Sequence, residues 1–161
     1  MTRLHIPVQL RWSDMDAYAH VNNVEMLRLL EEARIEAFWR HPAVEGDPVD
    51  VPVARPTAVL DASPGAATFT LVAHQEIEYV APLAYRRAPV VVALWLGRLG
   101  GASLEICYEV TDEAGTVYAK AVTTMVLVDP RTGSPRRIGE LERAAWEPFI
   151  EEPVTFRRGR R

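Results

Sequence analysis

One helical stretch followed by four long β-rich segments constrains this chain more than any other feature. From residue 23 to 40 apolar side chains recur at helical spacing, and His41-Pro42 ends the pattern. Residues 43–66 follow with Gly46, Pro48, Pro52, Pro56, Pro64 and Gly65, and read as an irregular excursion with a short strand at 58–61. Residues 68–80, 89–98, 102–111 and 116–128 then read as strands. Pro82 closes the first, Gly100-Gly101 turns the second into the third, and Asp112-Glu113-Ala114-Gly115 makes the next hairpin. Ahead of the helix, residues 5–13 alternate, with Ile6, Val8, Leu10 and Trp12 on one face of a further strand. One long helix and five or six antiparallel strands can cover their apolar faces only by laying the helix on the sheet, which is an α+β layout. A chain of 161 residues without repeats is one domain's worth. The domain is expected over 1–140. Residues 141–161, ending in Arg157-Arg158-Gly159-Arg160-Arg161, are expected to form a partly disordered extension.

On a helical wheel Glu25, Arg28, Glu32, Glu36 and Arg40 share one stripe, which reads as a solvated or charged face. Met26, Leu27, Leu30, Ala33, Ala37 and Phe38 form the apolar face. Glu31 and Arg34 point into that apolar face, where charges are rare unless paired or functional. Their spacing allows a structural ion pair, and it also allows a role in lining a pocket or supporting a site.

The chemistry concentrates just before the helix. Residues 11–34 read RWSDMDAYAHVNNVEMLRLLEEAR, and Asp14, Asp16, Tyr18, His20, Asn22 and Asn23 crowd into ten positions. A strand that ends in a carboxylate-rich loop and turns into a helix places an acid or nucleophile beside backbone N–H groups without partners. Such N–H groups suit a carbonyl oxygen that develops negative charge. The arrangement suggests acyl transfer. Asp16 could attack a thioester carbonyl or activate water, and His20 could orient the carboxylate, the water or the substrate. Asn22 or Asn23 is a favourable N-cap, and Asp14 reads as an acceptor for loop N–H groups.

This segment resembles the active-site segment of hotdog-fold acyl-CoA thioesterases of the 4-hydroxybenzoyl-CoA thioesterase type. Its Asp-x-Asp-x-x-x-His-Val-Asn-Asn pattern is also similar to that of plant acyl-ACP thioesterases. The resemblance extends more weakly over residues 5–40 and 68–138. It implies a hotdog fold, in which an antiparallel sheet wraps around one long central helix. It implies Asp16 as the catalytic carboxylate, the backbone N–H of Asn23 as the oxyanion donor, and His20 as the histidine of the acyl-ACP group. Tyr18, a candidate substrate contact, stands where that group carries an asparagine. By the same resemblance the turn around Arg98 and Ser103 would meet the nucleotide end of coenzyme A. Trp12, Met15, Tyr79, Trp95 and Tyr108 are candidates for surrounding the acyl group. The family also implies a homodimer or homotetramer with sites between subunits, and no cofactor beyond the coenzyme A of the substrate.

Composition adds exclusions. A net charge of −4 with 48% hydrophobic residues gives no electrostatic reason to expect nucleic acid. The lone Cys107 rules out an intrachain disulfide framework and fits a reducing cytoplasm. No apolar run is long enough for a signal peptide or a membrane span, so a cytoplasmic protein is expected. No metal-ligand cluster stands out; His74, Glu76 and Glu78 share a strand face as a solvated stripe. The expected activity is hydrolysis of an acyl-CoA or acyl-ACP thioester. The alternatives are an enoyl-thioester hydratase or dehydratase, whose His-Phe-Pro-Gly type motif is missing here, and a non-catalytic acyl-CoA-binding protein.

Overall fold

The alternation read across residues 5–13 becomes a shorter strand, β1 (Leu4–Val8), in the computed structural model, which describes residues 2–41 and 55–157. Leu4, Ile6 and Val8 are buried while His5 and Pro7 face out. Leu10 stays buried, but Trp12–Asp14 curls into a 3-10 turn and leaves Trp12 75% exposed. The Asp14 carboxylate causes the curl by accepting the Arg11 backbone N–H at 2.7 Å, which pulls the chain off the strand direction.

Helix α1 (Asn23–Phe38) has 16 residues and starts where Asn22 accepts the Val24 N–H on its side chain at 2.9 Å. It ends two residues before the expected boundary, because Trp39 is extended and pairs with Leu60 in a single parallel bridge. That bridge is all that forms of the strand expected at 58–61. Thr57 holds the same helix end by donating its hydroxyl to the Ala37 carbonyl. Leu29 is fully buried, although the wheel left it off the apolar face, and Leu27 is only half-buried.

The remaining strands are β2 (Phe69–Tyr79), β3 (Val90–Leu99), β4 (Ser103–Thr111) and β5 (Val117–Val128). The pairings among these five strands are antiparallel and the spatial order is β1-β3-β4-β5-β2. β1 and β2 are the edges. Helix α1 packs mainly on β1 and β3, and its Met26, Leu30 and Phe38 join Ile6, Leu94, Ile106 and Met125 in one core. The β2 side is less covered, with Phe69, Leu71, Val72 and Tyr79 all more than 40% exposed. A five-stranded antiparallel sheet with a helix of about four turns on one face is thus the architecture.

The stretch expected as an extension belongs to the packed unit over its described part. Helix α2 (Glu140–Trp146) delivers Trp146 fully buried, edge-on to Phe38 at 5.9 Å, with its indole N–H on the Thr57 carbonyl at 3.0 Å. Beyond it Val154 and Phe156 cover Trp95, Cys107 and Val122 on the opposite sheet face. The Trp95 N–H reaches the Glu152 carbonyl at 2.9 Å. The basic end at 158–161 and most of the excursion, 42–54, lie outside the described residues. No described helix is long and apolar enough to cross a membrane.

Candidate active site

Residues 15–21 form a tight loop closed by a bridge between Met15 and Val21. The Asp16 N–H donates to the His20 carbonyl at 2.8 Å, and the Ala19 N–H donates to the Asp16 carbonyl at 3.1 Å. Ala19 takes a left-handed conformation, φ 61°, to make this turn. The loop is pinned to the chain beyond β2, where the Val21 N–H meets the Leu83 carbonyl at 2.7 Å and His20 bridges Ala84.

Inside this loop the Asp16 carboxylate is fixed by backbone. Its Oδ1 accepts the N–H groups of Tyr18 at 2.8 Å and His20 at 3.2 Å. No donor among the described residues reaches Oδ2. Asn23 is the first helical residue, and its N–H has no partner among the described residues because Asn22 caps the next one. Asp16, His20, Asn23, Met26, Tyr79 and Leu83 line one cavity of about 340 Å³. The Tyr79 hydroxyl donates to the Asn23 carbonyl at 2.7 Å and ties β2 to the helix start. Burial pushes the Tyr79 phenol up, so it remains a donor at neutral pH.

Asp14 supports the loop from behind. It is fully buried and accepts, besides the Arg11 N–H, the Arg11 guanidinium at 3.0 Å and that of Arg28 at 2.8 Å. Burial alone would raise the Asp14 carboxyl, but the Arg11 N–H and the two guanidinium groups outweigh it and hold the group below its ordinary range. Its own carbonyl accepts the Asn22 N–H at 2.8 Å, so loop and cap are joined. Arg28, read as part of a solvated stripe, therefore has a structural partner that the sequence did not disclose. Glu25 completes the cluster at 2.8 Å from Arg28.

The other expected site residues do not gather here. The Tyr18 ring is 81% exposed and lines no part of this cavity; what Tyr18 gives Asp16 is its backbone N–H. Arg98 and Ser103 flank the β3–β4 turn, at the far end of the sheet. β3 alone separates the two ends by about 30 Å, at 3.3 Å per residue from Val90 to Leu99. One chain cannot bring them to Asp16. Of the candidate acyl-pocket residues Tyr79 borders the cavity, while Trp12 is exposed and Trp95 lies under the C-terminal segment. Tyr108 is buried beneath α1 against Arg34. The Tyr79 contact with Asn23 was not visible in the sequence, where 56 residues separate the two.

Comparison with known proteins bears on the family and the fold. The sequence pattern of the thioesterase-like superfamily matches residues 10–154. A candidate thioesterase of Pseudomonas aeruginosa is 30% identical, with a TM-score of 0.65 over 89% of this chain and 95% of that one. A thioesterase of Thermus thermophilus, solved in complex with coenzyme A and zinc, is 26% identical, with a TM-score of 0.64 over 93% of this chain and 96% of the other. A predicted thioesterase from Bacillus stearothermophilus shares the fold at a TM-score of 0.71 and 23% identity, over 95% of this chain and all of that one. No curated protein matches the chain.

Proposed function

The chain belongs to the thioesterase-like superfamily, and on that premise we propose that it hydrolyses an acyl-CoA thioester to the free acid and coenzyme A with Asp16 as its catalytic carboxylate. One observation carries this reading. A carboxylate oriented by two backbone N–H groups shares a cavity with the free N–H of the first residue of a 16-residue helix.

A thioester carbonyl placed between them would meet Asp16 on its carbon and Asn23 on its oxygen. As general base, Asp16 takes a proton from water while the water oxygen bonds to the carbonyl carbon. The oxyanion forms against the Asn23 N–H and the positive end of α1. Collapse restores the carbonyl and breaks the C–S bond, and the thiolate recovers the proton held by Asp16. As nucleophile, Asp16 would form a mixed anhydride with loss of thiolate, which water then cleaves. Both routes use the same two groups. His20, on the same cavity wall, is placed to orient the water or the substrate.

Coenzyme A as carrier is supported by the Thermus thermophilus relative, solved with that molecule. Arg98 and Ser103 stand at the end of β3 away from Asp16, which supports a second copy of the chain as the source of any nucleotide contact they make at this site. The exposed 11-residue edge of β2 is a surface on which two copies can pair. We therefore read the active form as a homodimer.

Thiol release from short, long, branched and aromatic acyl-CoAs tests the proposal, with Asp16→Asn as the parallel. Release that vanishes in the variant supports it. Equal release from both proteins sinks the role of Asp16, and no release from any acyl-CoA or acyl-ACP by a folded oligomer leaves a binding protein.

A further inference from the structure

A buried arginine lies under α1, away from the reacting end. Arg34 is 4% exposed on a helix whose other buried residues are apolar. Its guanidinium donates to the Tyr108 hydroxyl at 3.2 Å and stands 3.5 Å from the Glu31 carboxylate. The Glu31 side chain is 59% exposed, so water shares that carboxylate and the ion pair compensates Arg34 only in part. Burying a cation is unfavourable unless an anion meets it.

Arg34 also lines a second cavity of about 490 Å³, walled by Trp39, Val72 and Met125. Arg40 and His41 also line it, and Glu31 is its sole carboxylate among the described residues. An apolar pocket with a buried guanidinium at one wall suits an anion carried on an apolar chain.

Residues of this cavity and of the Asp16 site share one stripe of α1 and one face of β2. Asn23, Leu27, Glu31 and Arg34 follow one another down one stripe of α1. Opposite them Tyr79, Ile77, Gln75 and Val72 share a face of β2, in register with Ala119, Ala121, Thr123 and Met125 of β5. Asn23 and Tyr79 border the first cavity, Arg34 and Val72 the second. The helix rises about 16 Å from Asn23 to Arg34, and helical side chains lean toward the N-terminus, which shortens the gap.

We infer that the second cavity receives the far end of the acyl group, and that the preferred acyl group ends in a carboxylate paired with Arg34. The substrate class is the monothioester of a dicarboxylic acid. The identification of the ligand as an acyl-CoA rests on the proposed thioesterase activity, whereas the anion pocket rests on Arg34.

Calorimetric binding of suberyl-CoA and octanoyl-CoA to the Asp16→Asn protein tests this without turnover. The two ligands differ only in the terminal carboxylate. Suberyl-CoA is expected to bind about tenfold tighter, as for a hydrogen bond to a charged group. Arg34→Met should erase that preference and keep octanoyl-CoA affinity. Glu31→Gln, at an exposed position that does not threaten the fold, should widen the preference by removing the competing carboxylate. Equal affinities, or a preference untouched by either substitution, overturn the inference, and failure of both ligands to bind overturns it together with the acyl-CoA reading. Thiol release by the unsubstituted protein separates the two proposals. Preference without release sinks hydrolysis alone, and release without preference sinks the anion pocket alone.

Discussion

Arg28 reaches from the second turn of α1 to Asp14 in the preceding loop, closing a 2.8 Å ion pair on a carboxylate with no solvent exposure. The pair joins the helix to the loop that carries Asp16, so the position of the proposed catalytic carboxylate depends on a contact remote from it in sequence. Arg28→Met leaves Asp14 buried with Arg11 as its remaining guanidinium partner. Breaking one partner of a buried pair costs about 3 kcal/mol. Urea unfolding should report that loss, with kcat falling along with it because the loop loses its anchor.

The same carboxylate sets a pH dependence. Asp14 is held below its ordinary value of 3.8, so its contribution to stability is complete above that value and disappears as pH falls through the lower folded-state value. Asp112 acts in the same direction, held down to about 2 by the Tyr118 hydroxyl and the Thr116 N–H. Thermal melts should therefore fall steeply below about pH 4. Asp14→Asn should start lower at pH 7 and lose less on acidification. A variant with the acid slope of the parent protein would remove Asp14 from this account.

Asp16→Asn keeps an oxygen for the Tyr18 and His20 N–H groups, so the loop should hold its shape. What it loses is the charge and the basicity. A drop in kcat of about 10²–10⁴, the range for a positioned general base, is expected with an unchanged melting temperature. A large loss of stability would instead mark Asp16 as a turn residue first.

Tyr79→Phe removes the hydroxyl that grips the Asn23 carbonyl at 2.7 Å while leaving the ring against the cavity. Tyr79 is 47% exposed, so the stability change should stay below about 1 kcal/mol. The functional effect should be larger, a several-fold drop in kcat with little change in KM, because the helix start that presents the Asn23 N–H becomes looser. An unchanged kcat would mean that Asn22 alone fixes this N–H.

Trp146 shows where sequence reading reached its limit. The order of helix and strands, the turns at Gly100-Gly101 and Asp112–Gly115, and the Asp16–Asn23 segment were legible, because each is written locally in period, punctuation or a short motif. Contacts between distant segments were not. Trp146 beneath Phe38, Tyr79 on Asn23, and Arg28 on Asp14 have no local signature. For that reason residues 141–161 read as a partly disordered extension. The curl at Trp12 escaped because the alternation of 5–13 continues past the point where Asp14 bends the chain. Trp146→Ala should cost about 3–5 kcal/mol, the range for emptying an aromatic site in a core. Truncation after residue 139 should leave a chain that does not melt cooperatively. A cooperative transition near that of the full chain would place the segment outside the folding unit after all.

The β2 edge carries the last prediction. Arg98 and Ser103 stand at the end of the sheet away from Asp16, and no motion within one chain closes a gap of about 30 Å along β3. Under the proposed function, either residue that contacts the coenzyme A of a substrate held at Asp16 is expected to come from a second copy. Among the described residues β2 pairs only with β5 and its other edge has no strand beside it, with Leu71 53% exposed. A long exposed edge with apolar side chains favours pairing with another strand. Leu71→Lys should weaken that pairing, since a charge on an edge opposes it. Sedimentation should then show a shift toward monomer, with a parallel loss of thiol release. Mixing inactive Asp16→Asn and Arg98→Ala proteins provides the decisive arm, because a shared site in a mixed dimer regains one intact copy from two defective chains. Recovery of activity on mixing is the expected result. Unchanged activity from a Leu71→Lys monomer would show that each chain holds a complete site, and that Arg98 and Ser103 belong to the surface rather than to the substrate.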